Sequence, residues 1–167
     1  MAVMTPAACV AAMAALIATV DGAGRVHPCR RQLRTEPQIK QHLWDEQRNR
    51  VCGWFISPAG ANTSVTERNP GHHGIGIKGG GNVFTTFQFQ IEGYFGLDDA
   101  HESEAVWRDL VWAVADEFNA YGLLNIVGIT HQLPADVEQF GYALLAGMPL
   151  VHFARIGVGF QGRTRPA

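Results

Sequence analysis

The sequence predicts an α+β fold: an antiparallel or mixed β-sheet with helices packed mainly on one face, and a long glycine-rich hairpin or loop. Three observations carry this. Thr85, Phe87, Phe89 and Ile91 alternate with Thr86, Gln88, Gln90 and Glu92, the period of a strand with one core face and one wet or interfacial face. Trp107, Leu110, Val111, Val114 and Phe118 recur at i, i+3, i+4, i+7 and i+11, the stripe of a helix lying across a sheet. Ala154, Ile156, Val158 and Phe160 alternate in a final strand.

The elements follow in order. Thr5 and Pro6 suit the cap and first turn of a helix on which Val10, Met13, Leu16, Ile17 and Val20 fall at helical spacing. This alanine-rich start lacks a basic leader and is too short an apolar run to span a bilayer, so it is read as mature structure. Asp21-Gly22-Ala23-Gly24 stops the helix, and Arg25-Val26-His27 is a short extended piece before Pro28. Thr35 and Gln38 have capping-box spacing for a second helix, with Ile39 and Leu43 on one face and an end before Arg50.

Residues 50–57 alternate with bulk on both sides, which predicts a central strand. Residues 58–62 predict a turn, and Thr63 to Arg68 a returning strand. Residues 69–82 contain six glycines and predict a flexible loop. After the 83–92 strand, Asp99 and Glu102 have capping-box spacing at the start of the main helix, which Tyr121-Gly122 ends. Residues 125–130 predict a strand, Pro134 a break, and Val137 to Leu145 another strand, joined by a turn to the last one at 150–161. Residues 163–167 read as a mobile basic tail. The 167 residues make one domain, 1–167, long enough for a real core.

Composition narrows the function. With 47% apolar and 17% charged residues the chain is globular. A net charge of −2 leaves no footprint for gripping nucleic acid. Cys9, Cys29 and Cys52 are odd in number and widely spaced, which suggests neither a disulfide framework nor a zinc knuckle and fits a reducing cytoplasm.

The chemical motifs read as structural. Gly74-Ile75-Gly76-Ile77-Lys78-Gly79 spells a dinucleotide fingerprint, yet it precedes a strand and lacks the helix N-terminus that would hold phosphate. His72 and His73 are adjacent, with no acid or thiol at ligand spacing, so no metal is assigned. Cys52 on an apolar strand behaves as a small hydrophobe. Asp98, Asp99, Glu102 and Glu104 suit helix capping, and Trp44, Trp54, Trp107 and Trp112 serve as core or interface anchors. No catalytic residue, metal or cofactor is expected.

Three segments resemble the tail-terminator family, proteins of long-tailed bacteriophages and prophages. They are Gly24-Arg25-Val26-His27 after a first helix, Gly53-Trp54-Phe55-Ile56 in the first long strand, and Phe89-Gln90-Ile91-Glu92-Gly93-Tyr94 leading to Leu97-Asp98-Asp99 and Ser103-Glu104. The likeness runs over residues 5–160 in the order of elements, and the glycine-rich 69–82 segment departs from it.

The resemblance implies a virion structural protein and not an enzyme. It would assemble in the bacterial host cytoplasm as a homohexameric ring on the last ring of the tail tube. There it would stop polymerisation of the major tail tube protein and present a surface to the head-completion or neck protein, so joining tail to head. DNA would pass through its channel without sequence-specific binding, and no membrane is involved. Thr86, Gln88, Gln90 and Glu92 are the expected face toward a neighbour or the channel, and His72, His73 and Lys78 the expected contact with an adjoining subunit or the tube. Two other readings are a head-completion or neck adaptor protein and a small enzyme holding a phosphorylated ligand at Gly74–Gly79.

Overall fold

A computed structural model describes residues 4–31, 33–65, 83–98, 102–121, 125–126, 128–147 and 150–165. The elements are α1 (Pro6–Ile17), β1 (Arg25–His27), α2 (Glu36–Leu43), β2 (Trp44–Asp45), β3 (Arg50–Val65), β4 (Val83–Gly96), α3 (Ser103–Tyr121), β5 (Ile129–Leu144) and β6 (Leu150–Arg165). Six strands form one mixed sheet in the order β1-β3-β4-β6-β5, with β2 pairing separately to β3. β1 runs parallel to β3, and the other pairings are antiparallel. The parallel step needs a crossover, and α2 supplies it.

Local chemistry explains the starts of the helices. The Thr5 hydroxyl accepts the Ala8 N–H at 3.2 Å, and Pro6 occupies the first turn. At α2, Thr35 makes no side-chain cap bond. Gln38 Oε1 instead accepts the N–H of Arg34, the residue before the cap, at 3.0 Å, so neither arm of the expected capping box forms. At α3, the Asp98 N–H donates to Ser103 Oγ at 2.8 Å and the Ser103 N–H donates back to the Asp98 carbonyl at 3.2 Å. Asp99 lies outside the described residues.

The main core fills one side of the sheet. Cys52, Trp54 and Ile56 of β3, Phe89, Ile91 and Phe95 of β4, and Ala154, Ile156, Val158 and Phe160 of β6 meet α1 and α3 there. All five residues of the helical stripe in α3 are buried. Gly93 makes this packing possible. A Cβ at that position would lie 2.6 Å from both Trp107 Cη2 and Trp54 Cε3, whose rings close over the strand with centroids 5.2 Å apart. Gly24 is required by a different constraint: its φ is +74°, and a Cβ there would strike the Cys52 carbonyl and sulfur.

Part of the opposite side is buried as well. Val51, Phe55, Tyr94, Val151 and Phe153 pack under Ile39 and Leu43 of α2. Two helices therefore cover one face and a short third helix covers part of the other. Among the described residues no helix is long and apolar enough to cross a membrane.

Several boundaries differ from those expected, three of them by more than a few residues' extension or by a change of element. β3 does not turn at Pro58 but runs on to Val65, absorbing residues 58–60 as a register shift against Phe89 and Gln88 of β4. Beyond residue 55 it has β4 as its only neighbour among the described residues, where a proline's missing N–H and a bulge are tolerated. β5 likewise passes through Pro134 as a single strand. It is an edge strand, and its pairing shifts between Leu133 and Asp136. The third difference is at the end: residues 163–165 are not a tail, because Arg163 and Arg165 pair with Phe84 and Val83. The 69–82 segment lies outside the described residues.

Candidate functional site

The expected interaction face of β4 divides into two parts. Gln88 is exposed, and Thr86 and Gln90 are half-buried, so these three present a polar surface on the part of the sheet that α2 does not reach. Glu92 does not belong to that surface. It is 3% exposed, with Arg30, Tyr94 and Arg155 against it. Its carboxylate oxygens lie 3.3 Å from Arg155 Nη2 and 3.3 Å from Arg30 Nε, and the Tyr94 hydroxyl donates to it at 3.5 Å. Burial, with the Glu92 charge beside it, pushes the Tyr94 phenol up to about 12. Glu92 thus pins the 28–34 segment to the sheet.

His72, His73 and Lys78, together with Gly74–Gly79, lie outside the described residues. Cys52 is fully buried, and its sulfur lies 3.2 Å from the Gly22 carbonyl oxygen and 3.1 Å from that of Ala23. Burial pushes its thiol up to about 12, the opposite of nucleophile activation. Of the four tryptophans, Trp54 and Trp107 are in the core, Trp44 is half-buried and Trp112 is 49% exposed. In the acidic cluster, Glu104 pairs with Arg108 one turn on, at 2.8 Å. Among the described residues no three His, Cys, Asp or Glu side chains come together to hold a metal.

One pairing was invisible in the sequence. Ser103 Oγ and His152 Nε2 share a 2.9 Å hydrogen bond between residues 49 apart. Serine beside imidazole is the geometry of a nucleophile and its base. Here, however, Ser103 is 5% and His152 2% exposed, and the imidazole sits between the rings of Phe95 and Tyr142. The pair ties the start of α3 to β6.

The surface of β5 carries more information. It is an edge strand of sixteen residues, and Phe140, Tyr142 and Leu144 are 43%, 54% and 82% exposed. Edge strands are ordinarily guarded by prolines, bulges or charges. In β5 these guards, namely Pro134, Asp136, Glu138 and three register shifts, all precede Phe140. Residues 140–144 pair in unbroken register with β6 and contain no charge. A strand end that is both unguarded and apolar is suited to association with another protein surface.

Across the sheet, a 440 Å³ depression has Arg30, Arg31 and Arg34 on its rim and Phe55, Tyr94 and Leu145 in its floor. Alternation along the strands could have suggested the apolar end of β5. The depression depends on four separate parts of the chain. No family model matches the chain, and no curated protein matches it.

Proposed function

We propose that this chain is a tail-terminator-like assembly protein of a bacteriophage virion, forming a ring on the end of the tail tube. In this role it stops tube polymerisation and offers a surface to the neck. The reading rests on the resemblance of the 24–27, 53–56 and 89–104 segments, and one structural observation supports it most: the uncharged, apolar end of edge strand β5, with Leu144 82% exposed. A protein whose task is to assemble needs complementary contact surfaces and no reaction chemistry.

The polar face of Thr86, Gln88 and Gln90 is a second contact surface, open to a neighbour or to the channel. Co-sedimentation with polymerised tube protein tests the proposal. The chain should pellet with tubes at a ratio that falls as tubes lengthen, because only ends bind. A ratio independent of tube length, or no pelleting, would reject terminator function. A head-completion or neck adaptor would leave the tubes unbound.

A further inference from the structure

The charges of the chain are segregated. Residues 25–50 hold seven Lys and Arg against three Asp and Glu, whereas residues 98–138 hold one Arg against nine acids. The fold keeps these groups apart. β1 and β5 are opposite edges of the sheet. α2 packs on β1 and β3, while α3 lies chiefly against β5. The protomer therefore has a basic flank, formed by β1, the 28–34 segment and α2, and an acidic flank, formed by α3 and β5.

Each flank retains unneutralised charge. Arg31 and Arg34 are exposed, as are Asp109, Asp116, Asp136 and Glu138, and none of them forms an ion pair among the described residues. Each flank also has an apolar centre. On the acidic side, Asp109, Trp112 and Asp116 share one helix face at i, i+3 and i+7. Trp112 is one turn beyond Arg108, which lines a cleft with Phe140 and Tyr142. On the basic side, the arginine-rimmed depression has a floor of Phe55, Tyr94 and Leu145. Guanidinium groups stack on aromatic faces, so an aromatic strip between carboxylates is complementary to an apolar floor between arginines.

We propose that the acidic flank of one copy docks on the basic flank of the next copy, with the Trp112, Phe140 and Tyr142 strip seated on the Arg30, Arg31 and Arg34 depression. The two surfaces are different patches of one molecule, so the contact is head-to-tail and closes into a ring when its rotation divides the circle. This inference rests on the ring-forming reading above and assigns its subunit interface.

Charge exchange tests it with the full chain. Arg31→Glu with Arg34→Glu removes the positive excess of the basic flank and puts two carboxylates on the rim of its depression, and Asp109→Lys with Asp116→Lys puts two lysines on the helix face that carries Trp112. By sedimentation velocity, each double variant should self-associate at least about tenfold more weakly than wild type. An equimolar mixture of the two should recover assembly, since in alternating copies the introduced carboxylates meet the introduced lysines at one contact and the unchanged flanks meet at the next. Wild-type assembly should weaken in high salt. Trp112→Ser, an exposed position, should weaken association with an unchanged circular dichroism spectrum.

Variants that assemble as well as wild type, or a mixture no better than its components, would overturn the interface. A monomeric wild-type chain at every concentration would overturn it too. Normal tube capping by variants that assemble like wild type would reject this interface and leave the ring reading intact. Assembly through these flanks without any effect on tube growth would do the reverse.

Discussion

Gly93→Ala adds one methyl group at the most crowded point of the core. The new Cβ would lie 2.6 Å from Trp107 Cη2 and from Trp54 Cε3, and nearer still to Trp54 Cζ3. Carbon atoms pack comfortably at about 3.5–4.0 Å, so roughly 1 Å of overlap has to be relieved. The neighbours yield poorly. Trp54 is held by its indole N–H, which donates to the Ala23 carbonyl at 2.9 Å, and Trp107 is wedged against Phe95 with ring centroids 5.5 Å apart. Overpacking of a close-packed core costs about 1–3 kcal/mol, and two rigid rings in contact place this case at the upper end. For a chain of this size that corresponds to a fall in Tm of about 6–12 °C. Gly141→Ala is the matched control: the same addition on β5 meets nothing within 4 Å and should leave Tm within about 2 °C of wild type. Thermal unfolding followed by circular dichroism measures both. Equal Tm values for wild type and Gly93→Ala would refute the packing assigned to Trp54 and Trp107.

Other substitutions probe different parts of the account. Glu92→Gln leaves Arg30 and Arg155 without their buried counter-charge; because Arg30 is 65% exposed, the loss should be about 1–3 kcal/mol in urea unfolding, and an unchanged midpoint would contradict the pinning role of Glu92. Of the three thiols, Cys29 is exposed while Cys9 and Cys52 are buried, so a thiol reagent should titrate one group rapidly in the native chain and all three in denaturant. Burial raises the Cys52 thiol from 9.0 to about 12 and the Tyr94 phenol from 10.0 to about 12. The unfolded chain then loses these protons first, so the stability they confer is complete below about pH 9 and falls between about pH 9 and 12; Cys52→Ala should flatten that fall, and an identical alkaline profile would count against it. Gln88→Ala with Gln90→Ala should leave Tm within about 2 °C and weaken ring assembly in light scattering; undiminished assembly would remove β4's polar face from the contact surfaces.

Much of the fold was legible because its strongest elements are amphipathic over many residues. Phe89 and Ile91 in β4, and Trp107 through Phe118 in α3, declare their buried sides by period alone. Proline and glycine misled at two places for one physical reason. Pro58 and Pro134 punctuate the sequence, but each lies where its strand lacks a second neighbour, and a register shift accommodates it. Glu92 was misplaced because alternation reports which side of a strand a residue faces and not what covers that side. Its surroundings depend on Arg30 and on Arg155, which lies 63 residues away. The segregation of charge was present in the composition along the chain, but it acquired meaning only when the strand order placed β1 and β5 at opposite edges. The arginine-rimmed depression draws on the 30–34 segment, β3, β4 and Leu145, so no local pattern could reveal it.

The central claim is that the chain ends a growing tube. Tube protein polymerised in the presence of increasing amounts of this chain, with lengths measured by negative-stain electron microscopy, tests it most directly. The account predicts that growth stops at a length set by the ratio of the two proteins, with a ring visible on one end of each tube. Tubes that continue to lengthen at the rate seen without the chain would contradict it.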